Sequence, residues 1–210
     1  MSLLDYAALA ATPAAEEPFP HVVVRHFVPP AALQAVVADL PTLEKRGSFP
    51  ASAVSLGPAA RALMDEMEGG GLRAAIAKKF GLDLESAPTM LTLRAWTSER
   101  DGHIHVDSTA KRVTVLLYLN PAGDAWSQHD GCLRLLRGPH DLDDYVVEVP
   151  PVNGTLLVFP NSPHSWHGHK VFTGQRYSLQ LNYMTTDAKA RSELRRHRIS
   201  AFMKRLTLAA

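Results

Sequence analysis

The stretch Asp101–Ser108, DGHIHVDS, concentrates side chains that bind metal ions. On a β-strand, residues two apart point to one face, about 6.5–7 Å apart at the Cα level. His103, His105 and Asp107 then share a face and two of them can converge on a divalent ion, while Ile104 and Val106 pack on the other side. A further ligand must come from elsewhere. The second histidine-rich stretch, Asn161–His169 (NSPHSWHGH), follows the strand-like Thr155–Phe159 after Pro160 and offers His164, His167 and His169. Arg176 then opens RYSLQLNYM, in which Arg176, Ser178, Gln180 and Asn182 share one face and Tyr177, Leu179, Leu181 and Tyr183 the other. A wholly polar strand face headed by arginine suits the wall of a polar pocket, where the planar guanidinium grips a carboxylate as a fork.

The elements that must position these groups follow from pattern and composition. A chain of 210 residues, 46% hydrophobic and 20% charged, is expected to form one globular domain. At this size folding removes roughly 70% of the unfolded chain's surface from water, so no disulfide is needed, and the lone Cys132 cannot form one internally. A cysteine-rich metal cluster is excluded too, which leaves His, Asp and Glu as ligands. A net charge of +1 gives no general field for nucleic acid or an anionic membrane. The N-terminal residues lack a basic leader, and the longest strongly apolar run, Val113–Leu119, falls far short of the ~20 residues that span a bilayer. A cytoplasmic location is therefore expected.

Residues 1–86 read as mostly helical support. A short helix capped by Ser2, a strand in HVVVRHFV from His21, a helix from Pro29–Pro30 to Leu40 and a polar loop come first. Two helices, Ala59–Met67 and Leu72–Phe80, follow around Gly69, Gly70 and Gly71, with Gly81 as C-cap. Residues 87–186 become strand-like: MLTLRAW, HIHVD, RVTVLLYLN, CLRLL, YVVEV, TLLVF, HKVF and RYSLQLNYM alternate with turn signals. So many short strands suggest a sandwich or jelly roll. Residues 187–210 read as a basic amphipathic helix with Lys189, Arg191, Arg195, Arg196, Arg198, Lys204 and Arg205 beside a stripe of Leu194, Ile199, Phe202, Met203 and Leu206. That stripe is expected to dock on the domain and leave the basic face in water.

The order His-x-Asp, a distal His about sixty positions later and an Arg nine beyond that resembles the Fe(II)- and 2-oxoglutarate-dependent oxygenases, most closely their prolyl 4-hydroxylase-like branch. RVTVLLYLN is similar to the family strand whose Tyr shares the co-substrate with the Arg. GCLRL resembles its Gly-Gly-x-Leu-Arg strand, with Cys132 in place of the second glycine, and GTLLVFPNSPHSWHGH with GQR resembles its distal segment. The resemblance implies a mainly β fold, a double-stranded β-helix (jelly roll) core buttressed by N-terminal helices and closed by a C-terminal helix. It also implies Fe(II), 2-oxoglutarate and O2 as cofactors and co-substrates, and hydroxylation of a C–H bond with release of succinate and CO2. Carried over residue by residue, it gives His105, Asp107 and His167 as iron ligands, Arg176 and Tyr118 as partners of the distal carboxylate, and Leu116, Leu133 and Ser178 as pocket neighbours. His103, Arg94, Gln180 and Asn182 are the polar groups expected near a substrate, either a peptidyl residue or a free metabolite. Nucleic acid is disfavoured, because no second arginine follows Arg176 between Tyr177 and Thr186.

Three other readings compete. A metallohydrolase would use HIHVDS as a zinc signature, but Ser108 stands where its last ligand belongs. A cupin-type enzyme would use His103 and His105, without the glutamate expected after them. A non-catalytic binding module would act through the basic C-terminal helix, indifferent to His105 and Asp107.

Overall fold

The computed structural model describes residues 2–43, 47–123, 126 and 129–208, with side chains described as far as Arg205. Helix α1 (Tyr6–Ala11) is capped by Asp5, whose Oδ1 accepts from Ala8 N at 2.8 Å. The expected cap Ser2 instead donates to the Leu4 carbonyl at 2.8 Å, because the helix starts one turn later. Helix α2 (Pro30–Ala38) opens on a proline already set at helical φ. Helices α3 (Pro58–Glu68) and α4 (Gly70–Phe80) are parted by Gly69 alone, and Gly81 closes α4 at φ +63°, a left-handed conformation that suits glycine.

Among the described residues there are nine strands. They are β1 (Val22–Val24), β2 (Phe49–Pro50), β3 (Thr89–Thr97), β4 (Lys111–Tyr118), β5 (Leu133–Leu136), β6 (Tyr145–Val149), β7 (Thr155–Pro160), β8 (His167–Gly168) and β9 (Gly174–Met184). Six form an antiparallel major sheet in the order β1-β7-β4-β9-β3-β2, and three form a minor sheet, β6-β5-β8. This is the double-stranded β-helix, or jelly roll, that the resemblance implies.

Alternation assigns the two faces of the major sheet. Leu91, Leu93, Val113, Val115, Leu117, Leu179, Leu181 and Tyr183 turn outward into a core shared with Leu63 and Met67 of α3 and Leu72 and Ile76 of α4. Each such side chain contributes about 1.5–3 kcal/mol on transfer from water, so the helices buttress the sheet. On the other face Tyr118, Leu157 and Phe159 meet Leu133, Leu135 and Val149 of the minor sheet and Phe19. Beyond that apolar plug the inward residues of β9 are polar, and the two sheets part around a cavity. Asn120, just past β4, fixes the end of the plug: its Oδ1 accepts from Tyr177 N at 2.7 Å and its Nδ2 donates to Tyr177 O at 3.0 Å.

Several expectations are corrected. HIHVD is not a strand; within it only His105 pairs, through an isolated bridge to His167. HKVF is not one either, because the pairing is made earlier, at His167–Gly168. The polar loop after α2 contains β2, which pairs Phe49 with Leu93 and Pro50 with Thr92.

Helix α5 (Ala188–Leu208) starts where Asp187 Oδ1 accepts from Ala190 N at 2.7 Å, and of the expected stripe Leu194 joins its docking face while three others do not. Ala190 and Leu194 pack on Ala110 and Met184, and Ala201 is also buried. Ile199, Phe202 and Met203 are exposed. Arg205 anchors the helix through Nε to the Ser52 carbonyl at 2.6 Å. The side chain of Leu206, last of the predicted stripe, lies outside the described residues.

Candidate active site

His105 and His167 face each other across the isolated antiparallel bridge, His105 N donating to His167 O and His167 N to His105 O, both at 3.0 Å. Directly opposed residues send their side chains to the same side, and the two rings lie 4.3 Å apart between centroids. His105 Nδ1 is 2.8 Å from the His103 carbonyl and His167 Nδ1 is 2.9 Å from the Ser165 carbonyl, in each case two residues back. A carbonyl only accepts, so Nδ1 carries the hydrogen in both rings and Nε2 keeps its lone pair for a metal.

Asp107 supplies the third donor, and the ligand atoms of the three residues all lie within 4.8 Å of one another. Lys111 Nζ donates to Asp107 Oδ1 at 2.6 Å and Thr114 Oγ1 to Oδ2 at 2.5 Å. Burial alone would raise the Asp107 carboxyl, but Lys111, His167 and these two hydrogen bonds outweigh it and hold the group below its ordinary value. Burial, followed by the neighbouring His105, pushes the His167 imidazole down to about 4, so it stands neutral near pH 7. Two imidazoles and a carboxylate are the donor types of the facial set in non-haem Fe(II) sites that keep open positions.

Across the cavity, Arg176 is 5% exposed. Its Nε donates to the Gly131 carbonyl at 2.9 Å, its guanidinium lies 5.2 Å from the centre of the Tyr118 ring, and its buried Nη2 has no hydrogen-bond partner among the described residues. The buried Tyr118 hydroxyl has none either, and burial raises its pKa against the opposing pull of Arg176, so the phenol keeps its proton. Unpaired donors this deep are costly to leave unmade, and both point to an anion with several oxygens.

The cavity, of about 130 Å³, is lined by His105, Asp107 and His167, by Arg176, Tyr118 and Ser178, by Leu116 and Leu133, and by Arg94 and Gln180. Two expected residues are absent from that lining. His103 is exposed, because its segment is not a strand and the residue contributes only its carbonyl, which sets the His105 ring. Asn182 lies buried behind the wall, its Oδ1 3.3 Å from Thr114 Oγ1 and 3.4 Å from Gln180 Nε2. His164 is exposed.

Three contributors escape the sequence reading. Thr114 shares the inward parity of Leu116 and Tyr118, so alternation alone was enough to find it. Lys111 was not legible: a register shift between Lys111 and Val113 re-aims it into the cavity. Gly102 adopts φ +92°, and a Cβ there would collide with the His169 carbonyl oxygen, so this turn requires glycine. His169 itself lines the cavity; burial, then the Arg176 charge, pushes its pKa down to about 4.

Residues 89–184 match the sequence model of the 2OG-Fe(II) oxygenase superfamily. Among solved structures, a prolyl-4-hydroxylase from Pseudomonas putida is 19% identical, with 86% of this chain and 91% of that one covered at a TM-score of 0.56. A prolyl 4-hydroxylase from Phytophthora capsici is 17% identical, covering 91% and 69%, with a TM-score of 0.58. A Trichoplax adhaerens prolyl hydroxylase, in complex with a hypoxia inducible factor oxygen degradation domain peptide fragment, is 20% identical, covering 82% and 86%, with a TM-score of 0.51. At such identities the likeness establishes the fold. A search of curated proteins finds no significant match.

Proposed function

From the match of residues 89–184 to the 2OG-Fe(II) oxygenase superfamily, we propose that this protein hydroxylates an unactivated C–H bond of a peptidyl residue or a small metabolite. His105, Asp107 and His167 hold Fe(II), and Arg176 with Tyr118 holds the distal carboxylate of 2-oxoglutarate. The observation that carries this reading is one cavity with three convergent ligands on one wall and two unpartnered buried donors, Arg176 Nη2 and Tyr118 Oη, on another. When bound, iron and 2-oxoglutarate supply O2 activation coupled to release of succinate and CO2.

The chain's own residues do the rest. His103 and Ser165 lend carbonyls that fix the two imidazole tautomers. Lys111 and Thr114 keep Asp107 ionised and oriented. Leu116 and Leu133 form apolar wall that limits water, and Ser178 borders the carboxylate end. Arg94 and Gln180 stand on the remaining wall, and the positive charge of Arg94 and Lys111 favours a substrate that presents carboxylate or carbonyl oxygens there. A peptide substrate draws support from the peptide complex of the Trichoplax enzyme.

Among the described residues no helix is long and apolar enough to cross a membrane, and the single cysteine is a buried free thiol, which fits the cytoplasmic location we propose. The hydrolase reading loses its ground. Ser108 Oγ donates to Glu193 Oε1 of α5 at 2.6 Å, and His103 is outside the cavity, so neither a fourth zinc ligand nor a His103–His105 pair forms.

The reading is tested by screening peptides and metabolites for succinate release together with O2 uptake. Both should require Fe(II) and 2-oxoglutarate; zinc-dependent ester or amide hydrolysis without oxygen would overturn it. Thr114→Val keeps the side chain's shape and removes its hydrogen bond to Asp107, so Mn(II) affinity measured by calorimetry should fall roughly 10–100-fold.

A further inference from the structure

We propose that His129, Cys132 and Glu148 form a second metal site, suited to Zn²⁺ or a similar borderline divalent ion. His129 and Cys132 are three residues apart on a tight turn, with Cys132 N donating to His129 O at 3.2 Å. His129 sits at φ +63° and Gly131 at φ +73°, a strained backbone for a histidine that brings both side chains to one side of the turn. Glu148 arrives from β6, where it is paired with Arg134 of β5. One ligand atom from each of the three residues lies within 4.8 Å of the others.

The surroundings are arranged as metal sites arrange them. Glu148 Oε2 accepts from Arg134 Nε at 2.6 Å, which orients the carboxylate, and Oε1 is hydrogen-bonded to His129 Nδ1, so an ion bound by both takes the place of the hydrogen between them. Supporting hydrogen bonds of this kind fix a ligand's geometry. Cys132 is 1% exposed, and burial, then the Glu148 charge, pushes its thiol up to about 11, so without an ion it keeps its proton. Metal binding replaces that proton with a metal–sulfur bond. The His129 ring, 63% exposed, leaves the outer side open, so three protein ligands and a water complete a tetrahedron.

Thiolate with imidazole and carboxylate is a softer set than the two-imidazole, one-carboxylate cavity site, so the two sites sort metals by donor type. The turn also touches the proposed chemistry: the Gly131 carbonyl accepts from Arg176 Nε at 2.9 Å. A Cβ on Gly131 would meet Phe172 Cβ at 2.9 Å, so the turn is held close. An ion at this site braces the carbonyl that orients the arginine, and this consequence rests on the function proposed above. The site itself does not.

Because Cys132 is the only cysteine in the chain, any sulfur-to-cobalt charge-transfer band can arise only here. Anaerobic titration of the full chain with Co(II) should produce that near-ultraviolet band, saturating at one ion per chain, and added Zn(II) should displace it. Cys132→Ser should abolish the band. His129→Ala, at an exposed ring that does not endanger folding, should weaken Co(II) binding at this site at least about tenfold. Absence of the band from the wild type overturns the proposal, as does a band whose affinity is unchanged in both His129→Ala and Glu148→Gln. Failure of the oxygenase reading shows instead in succinate release and leaves this band untouched.

Discussion

Asp107→Ala and His167→Ala each lower succinate release by roughly a thousandfold or more, since a bound metal contributes several kcal/mol to the reaction it assists. Both also abolish the visible charge-transfer band expected when Fe(II) and 2-oxoglutarate are added without oxygen. The geometry explains why one ligand suffices to destroy the site. Two histidines on one bridge and one carboxylate are the full donor set within 4.8 Å among the described residues, so no neighbour takes over. Each variant carries a structural cost that must be separated from the chemical one. Asp107→Ala strips Lys111 and Thr114 of their shared partner, and His167→Ala opens space beside Phe159, whose ring centroid lies 5.1 Å from that of His167. His105→Ala removes an exposed ring and leaves the core intact, so it should lose the band with an unchanged melting temperature. A band that persists in all three variants would disprove the ligand assignment.

Arg176→Met should weaken 2-oxoglutarate by about 2–5 kcal/mol, which is roughly 30-fold to several thousand-fold in Kd, because it removes one partner of a desolvated charge pair. The same substitution should leave the ligand-free protein equally stable or more so. Arg176 is buried with Nη2 unpartnered, and replacing such a cation with an apolar side chain of similar length removes a desolvation penalty while forfeiting one hydrogen bond to Gly131 and the contact with Tyr118. Thermal melts with Mn(II), with and without 2-oxoglutarate, read both effects at once. The wild type gains a ligand-dependent rise and Arg176→Met does not, while its unliganded melting temperature stays level or climbs. An unchanged ligand-dependent rise would show that another group holds the carboxylate, and a marked fall in unliganded stability would show Arg176 to be structural.

The legibility of this chain follows parity. Strand alternation in RYSLQLNYM correctly separated Ser178 and Gln180 from Leu179, Leu181 and Tyr183, because β9 keeps unbroken register with β3 and β4 from Ser178 to Leu181, and Arg176 also faces the cavity although the register with β3 shifts beside it. The same rule failed where the backbone left the ladder. Reading HIHVD as a strand placed His103 in the pocket, whereas the segment is irregular and pairs only at His105. Parity on β4 would give Arg112 the inward position; the register shift gives it to Lys111. Asn182 keeps the predicted face yet sits behind Thr114 and Gln180, since parity fixes direction and says nothing about depth. The apolar stripe of α5 misled for a related reason. Helical spacing shows which residues share a face, but only the packing on Ala110 and Met184 shows that Ala190 and Leu194 enter the interface while Ile199, Phe202 and Met203 stay in water.

The first pattern noted, histidines clustered on either side of a β-rich stretch, is thus divided between two levels. Sequence by itself determined the strand-rich class and the donor types available to a metal, which depend on residue identity and period along one chain, and the ordered set His105, Asp107, His167 and Arg176 came from its resemblance to the oxygenase family. Only the tertiary structure decided which histidine pairs with which, what holds Asp107, that Arg176 and Tyr118 lie buried with unmet hydrogen bonds, and that Cys132 has His129 and Glu148 beside it. Those facts are distances between segments far apart in the chain. They are set by sheet register, bulges and the packing of one sheet on the other, and local pattern does not encode them.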